Sequence, residues 1–147
     1  MIFTKNRDPE DLNKLYESLI KQLPNIIFQI RVNKERQIAF DFLSKPIDFL
    51  NEFSFNEFIE DSYKLSNYTI YEPDLKGFID SYENAIANIE VWDIEFRLLL
   101  PDSGYKWIKI EATPKKNDLD EIVFYGLISD ITDVKEQEIR MRLADER

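Results

Sequence analysis

The 147-residue sequence contains no cysteine and no histidine, and it has only three glycines. The first two absences exclude disulfide bonds, thiolate nucleophiles, Ser-His-Asp triads and nearly all ligation of zinc, copper or haem by protein side chains. The glycines, Gly77, Gly104 and Gly126, are too widely separated to form a glycine-rich phosphate loop. We therefore expect no metal site and no phosphate-binding loop.

Long apolar runs and positive charge are also scarce. No segment approaches the roughly 20 apolar residues of a membrane span, and we expect no signal peptide at the start of the chain. Asp and Glu outnumber Lys and Arg by 29 to 19, which gives a formal net charge of −10. This charge opposes binding to nucleic acid and direct contact with an anionic membrane. We expect a soluble, cytoplasmic domain whose partner is a small molecule or another protein.

Three segments in the second half alternate apolar and polar residues, a pattern typical of half-buried strands joined by hairpins. They span residues 91–100, 105–114 and 122–133. Pro101 and Pro114 lack the N–H that a central strand needs, so we expect the first two strands to end there. The alternation places Phe96 on the core face of its strand and Glu95 with Arg97 on the other face.

A helix and a hairpin are predicted ahead of these strands. Asp8 as N-cap and Pro9 in the first turn begin the helix, and Pro24 ends it. Alternating residues in 25–32 and 37–44 then predict a hairpin. Apolar periodicity on the helix shows that one face is buried, but not against what. Packing on its own domain and sharing across a dimer therefore both stay open for this face, which carries Leu12, Leu15, Tyr16, Leu19, Ile20 and Leu23.

Between Lys45 and Ile89 the apolar spacing changes to that of helices. A capping box at Ser54 and Glu57 predicts a short helix, and Pro73 with Asp74 begin a longer one. Strands divided by a helical block predict an α+β fold, with one antiparallel sheet and helices on one of its sides.

An ordered set of residues runs through the second half: Glu95-Phe96-Arg97, a Gly-bearing turn, Tyr105-x-Trp107, Pro114, Gly126, and Asp130-Ile131-Thr132 before a charged helix. This set resembles the C-terminal (PAC-type) half of PAS sensor domains, especially those of bacterial sensor histidine kinases in two-component signal transduction. The resemblance implies a five-stranded antiparallel sheet in the order 2-1-5-4-3. We therefore divide the chain into a flanking helix (1–24), a PAS domain (25–132) and a linker helix (133–147).

The resemblance also raises the question of what fills the interior, because PAS domains hold haem, flavin, a small metabolite or nothing. The missing His and Cys exclude a His-ligated haem and a cysteinyl flavin adduct, so any cofactor is an unknown small molecule. Many large aromatic residues favour a filled core over a pocket, whereas Gly126 leaves space on its strand and hints at a pocket. The inward-facing candidates are Phe28, Ile30, Phe40, Phe58, Phe78, Tyr82, Phe96, Ile110, Phe124, Gly126 and Ile128.

A charged contact between the sheet and the exit helix would let a change in the sheet move the helix. The residues that the resemblance implies for this role are Glu95, Arg97, Trp107, Asp130 and Thr132. The alternative is an exposed ion pair contributing about 0–1 kcal/mol. Asp133 and Glu136 are expected to cap the exit helix. Only two heptads of apolar spacing are visible in this helix, so the sequence allows either a coiled coil or a solvated tail. The candidate dimer-helix residues are Leu12, Leu15, Leu19, Leu23, Val134 and Met141.

Two weaker patterns point to other chemistry. Glu95 and Glu111 could face one another on neighbouring strands, but solvated surface acids explain them more simply. Residues 117–121 are similar to a calcium loop but lack its Gly and its bidentate Glu, so we expect a hairpin turn with Asn or Asp in any left-handed position.

The predicted function is a non-enzymatic sensory and dimerisation domain. The resemblance implies a homodimer and a longer protein, in which the exit helix leads to an output domain such as a histidine kinase or diguanylate cyclase. The alternatives are a protein-interaction module with a filled core, and a small α+β enzyme with buried, converging carboxylates.

Overall fold

The computed structural model describes residues 8–44, 70–99 and 104–146. The predicted short helices, Phe58 and the turn at Pro101 lie outside these ranges. The elements in chain order are α1 (Pro9–Gln22), β1 (Ile26–Val32), β2 (Ile38–Leu43), α2 (Glu72–Asn88), β3 (Trp92–Leu99), β4 (Tyr105–Lys116), β5 (Ile122–Asp130) and α3 (Thr132–Asp145).

The five strands form one antiparallel sheet in the order β2-β1-β5-β4-β3, which confirms the predicted α+β fold and strand order. The strands of all three predicted hairpins pair antiparallel within the sheet. The turn between β1 and β2 closes with a bond from the Asn33 N–H to the Gln37 carbonyl. The turn between β4 and β5 is closed by Asn117, whose side-chain oxygen accepts from the N–H groups of Leu119 and Glu121. Asp120 takes the left-handed position there, at φ 65°, as the composition of the turn predicts.

Helix α2 covers one face of the sheet, which we call the inner face. Trp92 lies at the centre of this contact, completely buried, with its ring centroid 5.2–5.9 Å from those of Tyr82, Phe78 and Phe124. Its indole N–H donates to the Ser81 hydroxyl at 3.0 Å, so the ring is buried without losing its hydrogen bond. Edge-to-face aromatic packing thus fills the space between α2 and the sheet.

One prediction about the strand ends is wrong. β4 does not end at Pro114 but continues to Lys116, with Pro114 opposite Phe124. The backbone of Trp107 bonds toward the β5 side, and alternation along β4 then directs residue 114 toward the β3 side. Pairing between β3 and β4 ends at Ala112, so no residue of β3 lies opposite Pro114. The lack of an N–H at Pro114 therefore breaks no hydrogen bond of the sheet.

Gly126 also differs from its prediction, because it leaves no space for a pocket. It lies opposite Ala112, and a Cβ at position 126 would sit 2.7 Å from the Ala112 Cβ and closer still to the Glu111 carbonyl oxygen. The glycine therefore permits a close approach of β4 to β5.

Helix α1 begins as predicted, with the Asp8 carboxylate accepting from the Asp11 N–H at 2.8 Å. None of its residues is buried among the described parts of the chain. Tyr16, Leu19 and Leu23 are 53%, 49% and 42% exposed. Leu12, Leu15 and Ile20 are half-buried, so the described residues cover this apolar face only in part, and both alternatives for it stay open.

Candidate functional site

The five candidate relay residues converge where β3 and β4 meet the exit helix α3. Arg97 lies directly opposite Trp107 in the β3·β4 pair, and Glu95 lies opposite Lys109. Their side chains alternate with those of the buried Phe96 and Ile108, so they occupy the outer face of the sheet, opposite α2. These four side chains therefore lie on the face opposite the one that α2 covers, and Arg97, at the edge of the sheet, reaches around to the first turn of α2.

Arg97 forms its ion pair with Asp74 in the first turn of α2. The guanidinium donates to both carboxylate oxygens, at 2.8 Å from Nε to Oδ2 and 2.7 Å from Nη2 to Oδ1. The backbone N–H of Arg97 adds a third bond to Oδ2 at 2.8 Å. Hydrogen bonding from the Arg97 side chain lowers the pKa of Asp74. A bidentate pair of this kind fixes the plane of the guanidinium.

Aromatic rings surround the same guanidinium. Its Cζ lies 4.2 Å from the ring centroid of Tyr71, 4.9 Å from that of Trp107 and 5.8 Å from that of Tyr105. Arginine stacks well on such faces because its cation is planar and weakly hydrated. Arg97 therefore joins the start of α2 to the aromatic residues of β4.

Lys135 of α3 makes the contact between the exit helix and the sheet. Its Nζ lies 2.5 Å from Glu95 Oε1 and 5.0 Å from the centroid of the Trp107 ring. The hydrogen bond to Glu95 raises the pKa of Lys135. The Trp107 ring is therefore shared by two cations, Arg97 from β3 and Lys135 from α3.

Asp130 and Thr132 hold the first turn of α3 to β4. Asp130 Oδ1 accepts from the Thr132 N–H at 3.0 Å and from its hydroxyl at 2.5 Å. Thr132 Oγ1 in turn accepts from the Trp107 N–H at 3.0 Å. Burial acts to raise the pKa of Asp130, but the bonds from Thr132 and the ion pair with Lys106, at 3.3 Å, outweigh it and lower the pKa. The helix junction is thus bonded to β4 through backbone and side chain.

This geometry corrects part of the predicted contact. Of the three charged residues expected to join sheet and helix, Glu95 does so through Lys135 and Asp130 through Thr132. Arg97 instead bonds to Asp74 of α2. The expected Asp133 cap is also wrong, because α3 begins at Thr132 and has no side-chain cap.

Sequence reasoning missed Tyr71, Asp74 as a partner of Arg97, Lys106 and Lys135. A usable signal existed for Lys135 alone, because it follows Thr132 by three residues and so shares its helix face.

Glu95 and Glu111 do not face one another on neighbouring strands, so the simpler explanation, solvated surface acids, fits the structure. Glu111 lies opposite Asp93, and its carboxylate pairs with Lys109 at 3.1 Å. In residues 8–44, 70–99 and 104–146, no cluster of three or more His, Cys, Asp or Glu side chains is arranged to hold a metal ion. No helix in these ranges combines the length and apolarity needed to cross a membrane.

The candidate interior positions share the inner face of the sheet and the facing side of α2. Phe40 is half-buried, and Phe58 lies outside the described residues. Their role as pocket lining stays a prediction. The fully enclosed candidates, each at most 3% exposed, are Phe28, Ile30, Phe78, Tyr82, Phe96, Ile110, Phe124 and Ile128.

Solved structures share this architecture. A sensory box histidine kinase/response regulator from Burkholderia thailandensis E264 aligns with a TM-score of 0.58 and 14% identity, over 89% of this chain and 95% of that one. The N-terminal domain of a diguanylate cyclase with a PAS/PAC sensor from Marinobacter aquaeolei aligns with a TM-score of 0.53 and 17% identity, over 72% of this chain and 95% of that one.

An RNA-binding light-oxygen-voltage receptor aligns with all of this chain, at a TM-score of 0.59 and 11% identity, but the match covers 41% of the receptor. No family model and no curated protein matches the sequence. The chain has the PAS fold.

Proposed function

We propose that this chain is a sensory domain, without catalytic activity of its own, that passes a change in ligand occupancy or dimer packing to α3. The observation that carries the proposal is the double attachment of α3, through Thr132 to the backbone of Trp107 and through Lys135 to Glu95. A shift of β3 against β4 would act on both attachments. The downstream element would be an output domain such as a histidine kinase or diguanylate cyclase, as the names of two structural neighbours suggest.

Helix α3 suits this role because its own contacts are few. It is 14 residues long, none of them is buried, and a helix of this length is marginal alone. Its attachment to the sheet therefore decides its position. A small change at the junction can shift the balance between a docked and a released helix, provided that the stimulus has different affinity for the two states.

We further propose that the domain acts as a homodimer, with a second copy covering the apolar faces of α1 and α3. On α1 these are the half-exposed Leu19 and Leu23, and on α3 they are Val134 and Met141, 55% and 65% exposed. Both sets recur at helical spacing, so the same surfaces on two copies can cover each other about a two-fold axis.

The aromatic packing around Trp92 favours a second candidate, a protein-interaction module with a filled core. The site offers less support for the enzyme alternative. A general acid needs a raised pKa, whereas the environments of Asp74 and Asp130 lower the pKa of both carboxyl groups.

Native mass spectrometry of the purified chain, compared with the same sample after denaturation, tests these proposals together. A dimer with extra mass that disappears on denaturation supports a ligand sensor. A dimer without extra mass favours the interaction module. A monomer without extra mass at micromolar concentration contradicts both the ligand-sensing and the dimer proposal.

A further inference from the structure

We propose that Asp74 keeps the exit helix docked by holding Arg97 away from Glu95, the residue to which Lys135 of the exit helix binds. Asp74 would then be a positioning residue for α3, although it lies on α2 and forms its bonds with Arg97. The inference deepens the proposed function and rests on it in taking α3 as the output element.

The first step is the position of Arg97 at the edge of the sheet. β3 is an outer strand, and the Arg97 backbone points away from β4, with its carbonyl accepting from the Tyr71 N–H at 2.8 Å and its N–H donating to Asp74. Ile70 forms a bridge to Leu98 beside it. The segment leading into α2 thus wraps around the edge of β3, which lets an inner-layer carboxylate bind an outer-face arginine.

The second step is the neighbourhood of Arg97 on the outer face. Glu95 lies two residues away on the same strand and the same face, so the two side chains are adjacent. In the structure Nε and Nη2 of Arg97 donate to the two oxygens of Asp74, and Glu95 pairs with Lys135. If Asp74 loses its charge, the long Arg97 side chain can turn along the strand to Glu95.

The third step is the competition that follows. Other charged groups near Lys135 and Glu95 include Lys109, opposite Glu95 on β4, and Glu138, 3.7 Å from Lys135 on its own helix. Glu138 therefore cannot hold the helix to the sheet. Asp93 lies two residues from Glu95 on the same face of β3, and Arg142 of α3 lines the same groove as Lys135. An Arg97 released by Asp74 binds Glu95 as a planar, bidentate donor, which Lys135 cannot match. Lys135 loses its acceptor on the sheet and α3 loses one of its two attachments.

Hydrogen–deuterium exchange of the full chain tests this step. In Asp74→Asn, we expect exchange in residues 132–146 to rise by at least about fivefold, with β1 and β5 unchanged. Asp80→Asn is the matched control, because Asp80 lies on the same helix and its ion pair with Lys76 is exposed. It should leave α3 unchanged.

The decisive variant is Asp74→Asn combined with Arg97→Met, which removes the competitor together with its partner. Protection of α3 should return to within about twofold of the wild type. If the double variant exchanges as fast as Asp74→Asn alone, or if Asp74→Asn behaves as Asp80→Asn does, the competition is absent.

Should Asp74→Asn fail to fold, Arg97→Met alone decides the question. Slower exchange of α3 than in the wild type supports competition, because the competitor for Glu95 has been removed, whereas equal or faster exchange contradicts it. These measurements need neither ligand, dimer nor output domain. A negative result would therefore contradict the competition for Glu95 without contradicting the proposed function, which the native mass spectrum tests.

Discussion

The backbone of Trp107 and the side chain of Thr132 form the junction between sheet and exit helix. The Trp107 N–H donates to Thr132 Oγ1 at 3.0 Å, while the Trp107 carbonyl accepts from the Ile131 N–H at 2.9 Å. The β4·β5 ladder thus continues by two further bonds into the first turn of α3. The strand and the helix share one hydrogen-bond network, so the helix position depends on β4.

Replacing Thr132 by Val should release the first turn of α3. The isosteric change leaves the Trp107 N–H without its acceptor and Asp130 without one donor, which costs about 1–2 kcal/mol of local stability. We expect faster hydrogen exchange in 131–136. Thr113→Val, at an exposed position of β4, the strand that carries Trp107, is the control. Equal exchange in the two variants would show that the hydroxyl does not hold the junction.

Gly126→Ala and Gly77→Ala should have opposite effects on stability. A Cβ at position 126 collides with the backbone of β4, whereas a Cβ at position 77 meets no atom within 4 Å. We expect Gly126→Ala to lower the free energy of unfolding by more than about 2 kcal/mol. Gly77→Ala should raise it by about 0.5–1 kcal/mol because alanine favours the helix interior. Urea denaturation of both variants checks the pair, and similar values would contradict the close approach.

Gly126 shows what periodicity can and cannot reveal. Alternation along each strand identified the inner face, because burial of one face imposes a period of two. It does not reveal which residue lies opposite another, and the space beside Gly126 is taken by Ala112 of the neighbouring strand. The same limit explains Pro114, whose tolerance depends on where β3 ends.

The same limit applies to the relay residues, because spacing predicts the face on which they lie but not their bonding partners. Glu95 and Arg97 were correctly placed on one face from their spacing. Their partners, Lys135 and Asp74, lie on helices distant in sequence, and alternation along β3 carries no information on such pairing. The bond between Asp74 and Arg97 spans 23 residues and passes around a sheet edge.

Ile89 at the end of α2 should be replaceable by Gly at lower cost than by Ala. It adopts a left-handed conformation, φ 51° and ψ 56°, which strains a β-branched residue but not glycine. Both substitutions remove the same apolar contacts apart from one methyl group. We expect Ile89→Gly to be about 1 kcal/mol more stable than Ile89→Ala in thermal or urea unfolding. The reverse order would contradict the left-handed cap.

Low pH should weaken the contribution of Asp74 to the free energy of unfolding. Its pKa is lowered in the folded state by bonding to Arg97, so its stabilisation is fully present above the unfolded value of about 3.9 and is lost as pH falls through the lower folded value. The difference in unfolding free energy between wild type and Asp74→Asn should be constant from pH 7 to about 5.5 and shrink below about 4. Urea titrations at several pH values measure it. A difference that grows on acidification would have the wrong sign.

Leu19→Asp should dissociate the proposed dimer without unfolding the protomer. Leu19 is 49% exposed and no residue of α1 is buried, so a charge there costs the single chain little. In a dimer that covers this face, the same charge would be desolvated without a partner, which costs several kcal/mol. Sedimentation velocity over a concentration series, with circular dichroism to verify folding, measures the effect.

Ser18→Asp adds the same charge one position away on an exposed part of α1 and should remain dimeric. Dissociation of both variants would indicate a general charge effect, whereas a dimer in both would place the interface elsewhere.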